Sequence, residues 1–127
     1  VVILAAGQGT RMKSSLHKVL HPIAGRPMLE HLLHTVDQLG AERRVVVLGT
    51  GREQVEQVLA RHPVQIAVQA DQLGTGHAVQ QAEAALQDFD GTVVILYGDT
   101  PFVAPDTISA MRARLEAADK PGVVVLA

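Results

Sequence analysis

The 127-residue sequence contains no cysteine, which removes disulfides, thiolate metal sites and thiol nucleophiles together. It holds no apolar run near the ~20 residues needed to cross a bilayer. Positive charge is not in excess either. Eleven Lys and Arg stand against 13 Asp and Glu, for a net charge of −2, and no segment collects basic residues in bulk. Nothing therefore points to nucleic acid or an anionic membrane as partner. There is no G-x-S-x-G nucleophile elbow, and no G-x-x-x-x-G-K-[ST] phosphate loop. A dinucleotide fingerprint is also missing: Met12 stands where its last glycine belongs, and Leu48-Gly49-Thr50 supplies no acidic residue after the second apolar run. Internal repeats and low-complexity linkers are absent. The opening Val1–Ala6 has no basic lead-in and runs straight into Gly7, so it reads as a buried strand and not as a signal peptide.

Apolar residues make up 47% of the chain and charged residues 19%, a composition that builds one packed domain. Five apolar runs recur, Val1–Ala5, Val45–Leu48, Val64–Val68, Val93–Leu96 and Val123–Leu126. They are rich in Val and Ile with little polar alternation, as in parallel strands covered on both faces. Helical patterns lie between them. The first is Met28, Leu29, Leu32, Leu33, Val36 and Leu39, with Pro27 in its first turn and Gly40 stopping it. The second is Val55, Val58 and Leu59, ended by Pro63; the third follows Thr75 as N-cap through Ala78, Val79, Ala82 and Leu86. The fourth begins at Pro105-Asp106 and carries Ile108, Met111 and Leu115. This alternation predicts an α/β fold: a Rossmann-like, doubly wound, mostly parallel sheet in three α/β/α layers. The chain opens in mid-strand and stops inside an apolar run, so residues 1–127 are expected to be part of a longer protein, cut on the C-terminal side.

Open α/β sheets bind ligands at the carboxyl ends of their strands. The residues that follow the runs are Gly7-Gln8-Gly9-Thr10-Arg11, Gly49-Thr50-Gly51, Gln69 through Gly76, and Gly98-Asp99-Thr100. In the first loop, glycines let the backbone approach a phosphate with its N–H groups turned inward. Arg11 and Lys18 add positive charge, Arg11 as a forked donor. The same string also reads as a glycine turn with solvated basic residues. Asp99 at a strand end suits Mg²⁺, which bridges a protein carboxylate to substrate phosphates; it equally suits a turn cap. Gln69 and the Gly74-Thr75-Gly76 turn offer amide and backbone groups able to read the edge of a base, or simply a capped loop. The six histidines are scattered, without ligand spacing for zinc.

The strings Leu4-Ala5-Ala6-Gly7-Gln8-Gly9-Thr10-Arg11-Met12 and Leu96-Tyr97-Gly98-Asp99, with Lys18 between them, resemble the sugar nucleotidyltransferase superfamily. Val68-Gln69-Ala70-Asp71-Gln72-Leu73-Gly74-Thr75-Gly76-His77-Ala78 narrows the likeness, as does Lys18 through Met28. Together they resemble the uridyltransferase domain of the bacterial bifunctional N-acetylglucosamine-1-phosphate uridyltransferases/glucosamine-1-phosphate N-acetyltransferases. The resemblance runs the whole length and implies the nucleotide-diphospho-sugar transferase type of fold. It also implies that UTP and N-acetylglucosamine-1-phosphate react with Mg²⁺ to give UDP-N-acetylglucosamine and pyrophosphate, in a cytoplasmic enzyme of cell-wall precursor synthesis. Leu4, Ala5, Ala6, Gly7, Gly9 and Thr10 would line the nucleotide site. Gln69, Gly74 and Thr75 would read uracil. Arg11 and Lys18 would hold the phosphates, Tyr97 and Gly98 would lie by the ribose and sugar phosphate, and Asp99 would hold the metal. The full-length parent would be a homotrimer through its acetyltransferase domain. The family usually has proline before the phosphate lysine, where this sequence has His17, so Lys18 is expected to be more mobile. The sugar-binding region and second metal ligand lie beyond residue 127 in the family, and the isolated chain is expected not to complete the reaction.

Overall fold

Val2–Ala5 (β1) and Val45–Leu48 (β4) are buried at every position, because each is flanked by strands and covered on both faces. The computed structural model describes all residues except Gln8, Thr10, Arg11, Ala118, Lys120 and Ala127. Among the described residues, four parallel strands run in the order β5-β4-β1-β6, with β5 at Gln65–Val68 and β6 at Ile95–Tyr97. The first strand therefore lies inside the sheet. The chain steps outward to β4 and β5, then crosses back to lay β6 on the other side of β1.

The helices are α1 (Met28–Gln38), α2 (Glu53–Leu59), α3 (Thr75–Gln80) and α4 (Pro105–Leu115). In α1 the apolar residues repeat at helical spacing, so Leu29, Leu32, Leu33 and Val36 share one buried face. They pack with Val55 and Leu59 of α2 and Ile108 of α4 against Ile3, Ala5, Val46 and Leu48. Alternation along the strands sends Val2, Leu4, Val45 and Val47 to the opposite face, where Ala78 and Ala82 cover them. The two-faced covering is the doubly wound arrangement. Truncating Leu29 or Leu32 to alanine, both wholly buried, is expected to cost about 2–5 kcal/mol.

Several expectations need correction. The fifth run, Val123–Leu126, forms no strand, and Val123 and Val125 are 75% and 78% exposed. Apolar content alone does not supply a partner ladder, and this run has none. Strands β5 and β6 are not covered on both faces, since they are the sheet's edges; Ile66, Val68, Ile95 and Tyr97 remain exposed. The fourth strand also begins later than Val93. The N-cap of α3 is Gly74 and not Thr75, because Gly74 has φ 105° and ψ 178°, a conformation essentially restricted to glycine. Past Gln80 the chain does not stay α-helical to Leu86 but tightens into a 3₁₀ turn at Ala84–Leu86. Pro27 precedes α1 as its N-cap and belongs to a short hairpin of β2 (Pro22–Ile23) and β3 (Arg26–Pro27). Its two-residue turn, Ala24-Gly25, has φ of 49° and 78°, the left-handed pair that matches strand twist in tight hairpins.

Candidate functional site

The order of the strands reverses at β1, so the crevice between the carboxyl ends of β1 and β6 is the topological switch point of the sheet. A cavity of about 290 Å³ opens there, lined by Leu4 to Gly7 at the end of β1, Lys18 and Val19, Gln69, Gln72, Gly74, Thr75 and Ala78, and Tyr97 and Asp99 at the end of β6. Of the residues singled out by sequence, Leu4, Ala5, Ala6, Gly7, Lys18, Gln69, Gly74, Thr75, Tyr97 and Asp99 come together here. Thr10 and Arg11 lie outside the described residues.

Two glycines meet the site without lining it. Gly98 is buried, and a β-carbon there would come within 3.0 Å of Val19 Cγ1 and 3.2 Å of Ala5 Cβ. Its N–H donates to Leu4 O at 2.9 Å, which draws the end of β6 tightly onto β1. Gly9 has φ 63°, and a β-carbon on it would stand 2.7 Å from Lys18 Cβ. The first loop thus lies against the stem of Lys18 and directs its ammonium group across the cavity mouth. There it forms an ion pair with Asp99 Oδ2, each side chain about one third exposed. Gly49 after β4 does not reach the cavity; its backbone lies against Ala6 O, where a side chain would collide.

Lys18 sits in a 3₁₀ turn, Lys18–Leu20, that His17 precedes with φ −57° and ψ 140°. That is the conformation a proline would adopt. The His17 N–H, which proline would lack, donates to Gln54 Oε1 at 2.9 Å, and Gln54 Nε2 donates to Ser15 O at 3.2 Å. The looser loop expected from His17 is therefore tied down by α2. His17 is 7% exposed, neither ring nitrogen has a hydrogen-bond partner among the described residues, and burial pushes its pKa below the ordinary 6.5.

Gln72 was missed by sequence reasoning as a separate site residue. Its amide donates to Ala6 O at 2.9 Å, joining the loop after β5 to the loop after β1. The signal was its place in the Gln69–Ala78 string, three residues after Gln69. Gln69 is 3% exposed, with its amide nitrogen 3.1 Å from Gly74 O and 3.0 Å from His77 Nδ1. The other histidines behave as packing or surface groups: His31 Nε2 lies 2.8 Å from Ile23 O and its ring packs at 5.3 Å on Phe102, while His34 is exposed.

Among the described residues lining the cavity, Asp99 is the only carboxylate. Among the described residues, no three His, Asp or Glu side chains gather to cage a metal. A lone carboxylate beside room for phosphates fits Mg²⁺, which keeps several waters and takes substrate oxygens as ligands. Nor is any described helix long and apolar enough to cross a membrane.

Known proteins share this architecture. The chain matches the MobA-like NTP transferase domain over residues 1–127. It is 64% identical over 125 residues to the bifunctional protein GlmU of Rhizorhabdus wittichii, covering 98% of this chain and 28% of that protein. The chain thus spans only a minor part of the length of the curated relatives it matches. Among solved structures, Rv0371c of Mycobacterium tuberculosis H37Rv in complex with manganese superposes with a TM-score of 0.73 at 25% identity, over 91% of this chain and 57% of that one. A nucleotidyl transferase from Methanothermobacter thermautotroptrophicus superposes with a TM-score of 0.70 at 25% identity, over 88% and 55%.

Proposed function

The chain belongs to the MobA-like NTP transferase family, and from that premise we propose that it is the nucleotide-binding part of an N-acetylglucosamine-1-phosphate uridyltransferase. The observation that carries this reading is the cavity at the switch point, which gathers the Lys18–Asp99 ion pair with Gln69, Gly74 and Thr75 in one lining. The 64% identity to a GlmU protein supports the choice of substrates. The cysteine-free composition suits a cytoplasmic setting, and the longer parent protein would assemble as a homotrimer outside this region.

In the proposed reaction, a phosphate oxygen of N-acetylglucosamine-1-phosphate attacks the α-phosphorus of UTP. A new P–O bond forms, the α–β bridging bond breaks, and pyrophosphate leaves with the electron pair. The substrate brings its own nucleophile, so the protein's work is positioning and charge stabilisation. Lys18, held by the Gly9 backbone on its stem, supplies a positive charge to the triphosphate, and Arg11 would add a second. Leu4–Gly7 offer backbone groups along the nucleotide, while Tyr97 borders the sugar side. Asp99 would hold Mg²⁺, which when bound neutralises phosphate charge.

The test is pyrophosphate release by the full-length parent, offered each of four nucleoside triphosphates with Mg²⁺ and either N-acetylglucosamine-1-phosphate or glucose-1-phosphate. Release confined to UTP with N-acetylglucosamine-1-phosphate, and lost in Asp99→Ala, is the expected result. Release with another pair would overturn the assignment of base and sugar while keeping the phosphate loop. Binding of UTP without any release would make the domain a nucleotide sensor.

A further inference from the structure

The loop after β5 fixes the orientation of one buried amide. Gln69 Nε2 lies 3.1 Å from Gly74 O, and a carbonyl oxygen only accepts hydrogen bonds. The group facing it is therefore the NH₂ and not the amide oxygen. The same nitrogen lies 3.0 Å from His77 Nδ1, so its second hydrogen meets that ring nitrogen, which must accept. His77 is then a neutral imidazole with its hydrogen on Nε2. On the far side of the ring, Gln81 Nε2 is 3.1 Å from His77 O and 3.2 Å from His77 Nε2. Both ring nitrogens cannot accept at once. The shorter contact, made by the more buried amide, favours Nδ1 as the acceptor, and Gln81 keeps its bond to the backbone oxygen.

This assignment leaves Gln69 Oε1 with no hydrogen-bond partner among the described residues. The oxygen is not sealed away from solvent, and Gln69 lines the cavity. A lone acceptor held in a nearly buried side chain selects a partner that presents a donor.

Resting on the uridyltransferase reading, we propose that His77 is a positioning residue for base selectivity. By taking the second amide hydrogen of Gln69 on Nδ1, it holds the amide with its oxygen toward the cavity. The site then accepts a base that offers a ring N–H, as uracil does at N3. It rejects one that offers a bare ring nitrogen, as cytosine does at N3, because two acceptors would face each other without a proton between them. His77 touches no substrate; it acts through Gln69.

Two measurements on the chain test this. Imidazole ¹⁵N spectra of the ligand-free protein should show His77 Nδ1 bare and Nε2 carrying hydrogen; hydrogen on Nδ1 would overturn the proposal. Calorimetric affinities for UTP and CTP should then be compared in His77→Phe and His77→Asn. The phenyl ring fills the space without an acceptor, and discrimination between UTP and CTP is expected to fall about tenfold. Asparagine can return an acceptor at the place of Nδ1 and should keep most of the discrimination. A folded His77→Phe with unchanged discrimination sinks the idea. If His77→Phe does not fold, a folded His77→Asn that loses about tenfold of the discrimination would overturn the proposal, and one that keeps it while ¹⁵N spectra show Nδ1 bare in the wild-type chain would support it. A wild-type chain that prefers another triphosphate would refute the uridyltransferase reading, while the ligand-free spectra still decide the contact between His77 and Gln69.

Discussion

Lys18 and Asp99 stand 81 positions apart in the chain and meet as an ion pair at the mouth of the cavity between β1 and β6. The two residues proposed to serve phosphate and metal are thus each other's partner. A cation binding to Asp99 has to separate them. Replacing Lys18 by Met should therefore raise the affinity of the protein for Mn²⁺ alone by a few-fold, the scale of an exposed pair worth about 0.2–1 kcal/mol. The same variant should lower turnover of the full-length enzyme by about 10²–10³, as loss of a donor that stabilises developing charge does. Manganese titration followed by electron paramagnetic resonance reads the first effect. Unchanged or weaker metal affinity would mean that Asp99 is not the ligand.

Gln72 supports the second prediction. Its amide reaches Ala6 O from the loop after β5, and so ties that loop to the one after β1, the two proposed to read the base and hold the phosphates. Gln72→Leu should weaken UTP binding about five- to tenfold through the lost bond of ~1 kcal/mol, with the fold retained. Gln72→Glu places a carboxylate against a carbonyl oxygen and should be worse near pH 7.5. It should recover near pH 5, where a protonated carboxyl can donate. Binding that is indifferent to pH in Gln72→Glu would show that the contact does not position the loop.

His17 gives a prediction about stability. Burial lowers its pKa in the folded chain below the ordinary 6.5 of an exposed imidazole. The unfolded chain therefore takes up a proton first as pH falls. The stabilisation is complete above about 6.5 and is lost below it, until the lowered folded value is passed. His17→Pro keeps the backbone angles, removes both unpartnered nitrogens and gives up the N–H bond to Gln54. Thermal unfolding at about pH 7.5 and pH 5.5 should show a larger drop in Tm for the wild-type chain than for the variant. Equal drops would clear His17 of the effect.

Much of this was legible beforehand, for identifiable reasons. The strands β1 and β4 lie at the centre, where apolar content and structure coincide, and the face of α1 follows directly from its periodicity. That Gly7, Gln69, Gly74, Thr75 and Asp99 would converge was visible because open sheets of this kind bring the residues after their strands to one crevice. The edges were not legible, since a run such as Val123–Leu126 carries no record of which strand would pair with it. Side-chain contacts such as Gln72 with Ala6 or Gln69 with His77 depend on side-chain direction and not on spacing. The Gln54 ties that hold the His17 loop were invisible for the same reason, because α2 must first be docked.

The outer edge of the sheet yields a fourth prediction. Among the described residues strand β6 is paired on one side only, and Ile95, Tyr97, Val123 and Val125 are exposed around it. An apolar edge with unpaired backbone groups invites another strand. The 127-residue chain alone should self-associate with rising concentration, and Ile95→Lys with Val125→Lys should restore the monomer. Light scattering that shows a sharp monomer for the unmodified chain would refute this.

The cavity draws its walls from β1 and from β6, and among the described residues β6 is attached to the sheet through β1 alone, over three registered residue pairs. A nucleotide touching Ala6 on one side and Asp99 on the other bridges that short ladder from its open end. Peeling β6 away is the shortest route by which this sheet can come apart, and a bound nucleotide would have to be released first. At a ligand concentration of 100 times Kd, such linkage is worth about 2.7 kcal/mol. The amides of β6 should thus exchange their hydrogens with solvent at a rate set by nucleotide concentration, making the edge strand a gauge of how full the site is.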